Sequence, residues 1–226
     1  MTMSNSEKKQ AVLFDMDGVL VDVGQSYRTA IQKTAEFFTK QEVTKEQIQE
    51  FKMKGGFNDD WDLTQAIIKS RGMDLTKEKV VEKFQEVYFQ VRDTEKWLLD
   101  KEVLSELKKK FKLGIVTGRP KDEAIYVLEN NNVTDDFEFM IGMEEMEGKQ
   151  KPNPSGILEA MKALNVENAV YIGDTVDDIM AAKNAEIEGI GVYPPGFKSE
   201  ELKKLMIENG AKVVLDNVNQ IIEELE

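Results

Sequence analysis

The residues best suited to chemistry are acids that close short apolar runs. Asp15-Met16-Asp17-Gly18 follows Ala11-Val12-Leu13-Phe14, and Gly173-Asp174-Thr175-Val176-Asp177-Asp178 follows Ala169-Val170-Tyr171-Ile172. Thr117-Gly118-Arg119-Pro120 follows Lys112-Leu113-Gly114-Ile115-Val116, and Lys149-Gln150-Lys151-Pro152-Asn153-Pro154 leads into a helical pattern. A single acid at such a place is a polar strand end entering a glycine turn. Two acids flanking one residue favour function. The chain has no cysteine and no histidine, which removes thiol nucleophiles, Ser-His-Asp catalysis and most zinc sites. Carboxylates, lysine, arginine, hydroxyls and backbone remain, a palette that favours hard cations such as Mg²⁺.

The elements that must position these groups alternate in type. Residues 11–15, 112–117, 169–174 and 189–193 read as buried parallel strands, with further strands at 137–141 and 212–215. Apolar residues spaced by three or four place helices near 100–110, 121–131, 154–164, 177–185, 199–208 and 217–225. Alternation of this kind predicts an α/β domain, a Rossmann-like parallel sheet flanked by helices, whose ligands bind beyond the carboxyl ends of the strands. Between the first two strands lies a helical stretch, with helices near 24–40, 44–53, 59–71 and 76–93. It is too long for a loop and predicts an inserted α-helical subdomain, 22–98, against a core of 1–21 and 99–226. The hinges are expected at 20–24 and 94–99, and Trp61, Phe84, Tyr88, Phe89 and Trp97 are spaced as core residues with no ligand role.

Of the 226 residues, 41% are hydrophobic and the formal net charge is −13. Such a charge argues against non-specific binding to nucleic acid or anionic lipid, and a phosphate substrate would need strong local positive charge. No apolar run is long enough to span a membrane. Residues 1–10 lack the apolar core of a secretory signal and read as a short tail, so the expected compartment is the cytoplasm. The sequence carries no signal for oligomeric state.

Taken in order, the four segments resemble those of the haloacid dehalogenase-like hydrolase superfamily, over essentially the whole chain, with the helical insertion in the position of its smaller cap. The resemblance implies Asp15 as nucleophile toward phosphorus. It implies Asp17 as the acid that protonates the leaving alcohol and then the base that activates water, a residue absent from the relatives that attack carbon. Thr117 and the Gly118 amide would hold phosphate oxygens, and Lys151 would supply fixed positive charge. Mg²⁺ would be held by Asp15, the Asp17 carbonyl and Asp174, with Asp178 either a ligand or a group orienting a metal-bound water or Lys151. An ordinary carboxylate, with a pKa of about 4, is ionised at neutral pH and needs no general base.

Each motif also has a plain structural reading. Thr175 can cap a helix, with Asp177 and Asp178 in its first turn. Asn153 as N-cap and Pro154 at the first helical position would stiffen the lysine loop. Lys54 and Asn58, in Lys54-Gly55-Gly56-Phe57-Asn58, are substrate candidates from the insertion, and Arg119 is one from the core. Asn58 equally suits the cap of a helix from Asp59. The function expected is a Mg²⁺-dependent phosphatase for a small phosphorylated metabolite. The alternatives are a sugar phosphomutase of the same superfamily and a non-enzymatic receiver-like or metal-binding domain.

Overall fold

The computed structural model describes residues 10–57 and 59–225. The expected tail falls almost entirely outside the described residues, as does Asn58. The chain divides into two units, Met1–Asp22 with Trp97–Glu226, and Val23–Lys96.

In chain order, the first unit begins with β1 (Gln10–Phe14) and the two-residue strand β2 (Val21–Asp22). The second unit holds α1 (Tyr27–Thr39), α2 (Lys45–Met53), α3 (Asp60–Ser70) and α4 (Lys77–Val91). After β3 (Lys96–Trp97) come α5 (Lys101–Lys110), β4 (Lys112–Val116), α6 (Lys121–Asn131), β5 (Phe139–Ile141) and α7 (Ser155–Leu164). The chain then forms β6 (Asn168–Gly173), α8 (Val176–Asn184), β7 (Glu188–Val192), α9 (Glu200–Asn209), β8 (Ala211–Leu215) and α10 (Ile221–Leu225).

The sheet of the first unit is parallel throughout, in the order β5-β4-β1-β6-β7-β8. β1 is central, and Ala11 to Phe14 are fully buried, as expected of a strand covered on both faces. From β1 the chain builds outward through β4 and β5, then returns to β1's other edge with β6. The topological switch therefore lies at β1, where a ligand crevice opens in sheets of this type. β1 ends one residue before Asp15, whose amide still donates to the Ile172 carbonyl at 2.8 Å. Among the described residues, no helix is long and apolar enough to cross a membrane.

The helical unit packs α1 against α3 and α4 around Ile31, Ala35, Leu63, Ile67, Phe84 and Tyr88. Thr44 closes a reciprocal capping box with Gln47 at the start of α2. Two expectations change here. Asp59, not Asn58, caps the helix that follows the glycine pair, accepting from the amides of Trp61 and Asp62, and that helix starts at Asp60. Phe89 is 55% exposed rather than core. Tyr88 takes the inward position, and the next residue on a helix points about 100° away.

Candidate active site

The predicted groups of the core converge at the carboxyl rim of β1, β4 and β6. Asp15 follows β1, Thr117 follows β4, Asp174 follows β6, and Lys151 comes from the loop before α7. Oxygens of Asp15, Asp174 and Asp178 lie within 4.8 Å of one another, and all three residues are buried.

Lys151 sits at the centre. Its ammonium donates to Asp15 Oδ1 at 2.8 Å, to the Tyr171 hydroxyl at 3.0 Å, and to Asp178 Oδ1. These three bonds use all three of its protons. Burial pulls its pKa down, but the flanking carboxylates of Asp15 and Asp178 win and hold it well above the ordinary lysine range. Lysine is therefore the built-in countercharge of the site.

Asp15 shows the opposite balance. Loss of solvent pushes its carboxyl up to about 7; Lys151 pulls it down, while Asp178 and Asp17 add to the rise. The expectation of an ordinary, fully ionised carboxylate is thus revised, because burial outweighs the single lysine. A buried cluster of three acids with one ammonium is short of positive charge. Its donors are all hard oxygens, so the residues fit a divalent cation.

Local backbone explains the arrangement. Gly18 has φ +80°, and a Cβ there would lie 2.2 Å from Asp174 Oδ2. The absent side chain is what lets that carboxylate lie against the Asp17-Gly18 turn. A Cβ on Gly173 would meet the Asp178 Cβ at 2.1 Å, so the end of β6 is bare where α8 packs on it. Thr175 caps α8 in a capping box with Asp178: its hydroxyl accepts from the Asp178 amide, and Asp178 Oδ2 accepts from the Thr175 amide and hydroxyl. The plain reading of this segment, Thr175 as the cap with Asp177 and Asp178 in the first turn of α8, holds. Asp178 has Oδ1 on Lys151 and Oδ2 on Thr175, which suits the orienting role.

Thr117 is buried, and its hydroxyl accepts from the Arg119 amide at 3.2 Å. Gly118, between them, is half-buried. Asn153 is not the N-cap of α7, which begins at Ser155 after Pro154; its side chain instead accepts from the Ser155 amide and hydroxyl. Asp17 turns Oδ1 of its carboxylate onto Arg119; the acid oxygens that cluster are those of Asp15, Asp174 and Asp178. The Arg119 guanidinium is buried against Asp17, at 2.8 Å from Nε and 2.6 Å from Nη2, so this substrate candidate has a protein partner. Lys54 is exposed at the end of α2, with its ammonium 4.7 Å from the centre of the Phe51 ring. Asn58 lies outside the described residues.

Tyr171 joins the site from outside the sequence-predicted set. It stands in the apolar run of β6, and its hydroxyl donates to the Val116 carbonyl at 2.8 Å while accepting from Lys151. The signal was present: a tyrosine inside a strand buried on both faces must find a partner for its hydroxyl.

The profile of the haloacid dehalogenase-like hydrolase family matches residues 12–192. An imidazoleglycerol-phosphate dehydratase of Phytophthora nicotianae is 36% identical over 91% of the chain, and the chain spans 50% of that protein's length. A phosphoglycolate phosphatase of Colwellia psychrerythraea is 32% identical, over 82% of the chain and 85% of the relative. The crystal structure of a β-phosphoglucomutase from Clostridium difficile superposes with a TM-score of 0.73 at 24% identity, covering 95% of each chain; that likeness concerns the fold.

Proposed function

The chain belongs to the haloacid dehalogenase-like hydrolase family, and from that premise we propose that it is a Mg²⁺-dependent phosphatase hydrolysing a small phosphate monoester through an aspartyl-phosphate. The observation that carries the reading is the buried contact of the Lys151 ammonium with Asp15 Oδ1, beside the carboxylates of Asp174 and Asp178. An anionic nucleophile placed under fixed positive charge at a sheet's switch point is suited to attack on an anionic phosphate.

When bound to Asp15, the Asp17 carbonyl and Asp174, Mg²⁺ would supply the charge neutralisation that lets two anions meet. The chain's own residues do the rest. A carboxylate oxygen of Asp15 bonds to phosphorus as the bond to the leaving oxygen breaks, and Asp17 gives that oxygen its proton. Asp17, now ionised, takes a proton from water as water bonds to phosphorus. The acyl-phosphate bond breaks and returns the Asp15 carboxylate. Thr117 and the Gly118 amide hold phosphate oxygens between the two steps, while Lys151 keeps Asp15 in place. A named phosphatase among the relatives supports this substrate class.

The test is phosphate release from a panel of small metabolite esters with Mg²⁺ or with EDTA, for the native chain and for Asp15→Asn. Turnover should need the metal and vanish in the variant. An active Asp15→Asn protein, or full turnover in EDTA, rejects the mechanism. Isomerisation of glucose 1-phosphate without phosphate release would assign mutase chemistry instead.

A further inference from the structure

We propose that Arg119 is a positioning residue that acts through Asp17: by fixing one oxygen of that carboxylate, it presents the other to the leaving group and then to water. The inference rests on the phosphatase reading above and adds a residue to it.

The observations are geometric. Arg119 is 2% exposed and stands 102 residues from its partner in sequence. Its Nε and Nη2 converge on the same atom, Asp17 Oδ1. Its backbone is anchored on both sides: the amide donates to the Thr117 hydroxyl at 3.2 Å, and the carbonyl accepts from the Met143 amide at 3.0 Å. The guanidinium therefore comes from a fixed point beside the phosphate-binding turn. Asp17, by contrast, is 20% exposed, as a group that must meet leaving alcohol and water has to be.

An aspartate carboxylate rotates readily about its last torsion. Both proton transfers assigned to Asp17 need an oxygen held close to its target, and a displacement of about 1 Å can lose roughly 100-fold in rate. Anchoring Oδ1 removes that freedom and leaves Oδ2 to act twice, first giving a proton to the departing oxygen and then accepting one from water. The anchoring bonds need not break in either step. A planar fork suits this use, because two of its N–H groups can aim at one atom while the body of the side chain stays buried. Stability alone is a weak explanation, since a buried ion pair is often no more stabilising than apolar residues of the same volume.

The test separates help given to the leaving group from general damage. Second-order rate constants, kcat/KM, would be measured with Mg²⁺ for 4-nitrophenyl, phenyl and benzyl phosphate. Nitrophenolate departs without a proton, whereas benzyl alkoxide requires one. Arg119→Met and Arg119→Lys should lose about 10- to 100-fold on benzyl phosphate and less than about 3-fold on the nitrophenyl ester. Asp17→Asn should show the same skew, and the double variant Asp17→Asn/Arg119→Met should be no worse than Asp17→Asn alone. Equal losses across the three esters, or additive losses in the double variant, would overturn the proposal. If the methionine variant does not fold, the lysine variant decides. If neither folds, Arg119 is assigned to stability and the proposal fails. Native chain that releases no phosphate from any ester sinks the phosphatase reading and this inference with it. An active, Asp15-dependent enzyme with leaving-group-blind Arg119 variants sinks the inference alone.

Discussion

The Lys151 ammonium stands 2.8 Å from Asp15 Oδ1 and reaches Asp178 from the same nitrogen, although Lys151 and Asp15 are separated by 136 positions in the chain. The nucleophile of the proposed reaction is thus inseparable from its cation. Lys151→Met would strand two buried carboxylates. Breaking a pair of this kind costs about 3–5 kcal/mol, and losing the charge beside the reacting phosphate should lower kcat by about 100- to 1,000-fold. Urea unfolding and phosphate release check the two effects separately. A variant as stable and as active as the native chain would show that the contact does nothing.

Tyr171 ties that lysine to the end of β4. Its hydroxyl accepts from Lys151 and donates to the carbonyl of Val116, the residue before Thr117. Tyr171→Phe keeps the ring and leaves a buried N–H and a buried carbonyl each short of a partner, which should cost about 1–3 kcal/mol. With the lysine less firmly held, kcat should fall by about 3- to 30-fold while KM stays within about 2-fold. Steady-state kinetics beside thermal unfolding test both parts. A loss confined to KM would mean that the hydroxyl serves binding.

Much of this arrangement could be read in the sequence because a parallel strand buried on both faces is a simple signal. Ala11–Phe14 and Ala169–Ile172 are apolar runs that end in acids, and the end of such a run at a sheet's rim fixes where its acid must stand. Asp15, Thr117 and Asp174 were legible for that reason. What the side chains do next was not. Arg119 has a long, flexible side chain, and nothing local in Thr117-Gly118-Arg119-Pro120 says that it turns onto Asp17. Adjacent aromatics on one helix cannot both face inward, and periodicity alone does not choose between Phe89 and Tyr88. The start of α3 depended on whether Asn58 or Asp59 caps it, and both types cap well.

Gly18 offers a sharper substitution than any acid. At φ +80° an alanine is strained by roughly 1–2 kcal/mol, and its methyl would also occupy the place of Asp174 Oδ2. Gly56, at φ +78° with nothing within 4 Å of an added Cβ, shares the strain without the collision. Gly18→Ala should weaken divalent-cation binding by about 10-fold or more, because its acid must move. Gly56→Ala should lose only stability. Calorimetric titration with Mg²⁺ distinguishes them, and equal affinities in the two variants would show that the Gly18 contact does not set the acid's position.

The elevated carboxyl of Asp15 sets the pH behaviour of the metal-free protein. Its pKa rises from 3.8 to about 7 on folding, chiefly through burial. The folded chain therefore binds this proton more tightly than the unfolded chain does. The resulting stability is fully present below pH 3.8 and is lost as pH rises through about 7. In EDTA, the native protein should lose stability across that window relative to Asp15→Asn, which carries no titrating group there. Divalent cation reverses the trend, since it binds the ionised form and must displace the proton below about pH 7. Mg²⁺ should raise the melting temperature more at pH 8 than at pH 5.5, and titrations near pH 6.5 in buffers of different ionisation enthalpy should reveal proton release. A melting shift that is the same at both pH values, with no proton released, would mean that the Asp15 carboxylate is not among the groups that hold the ion.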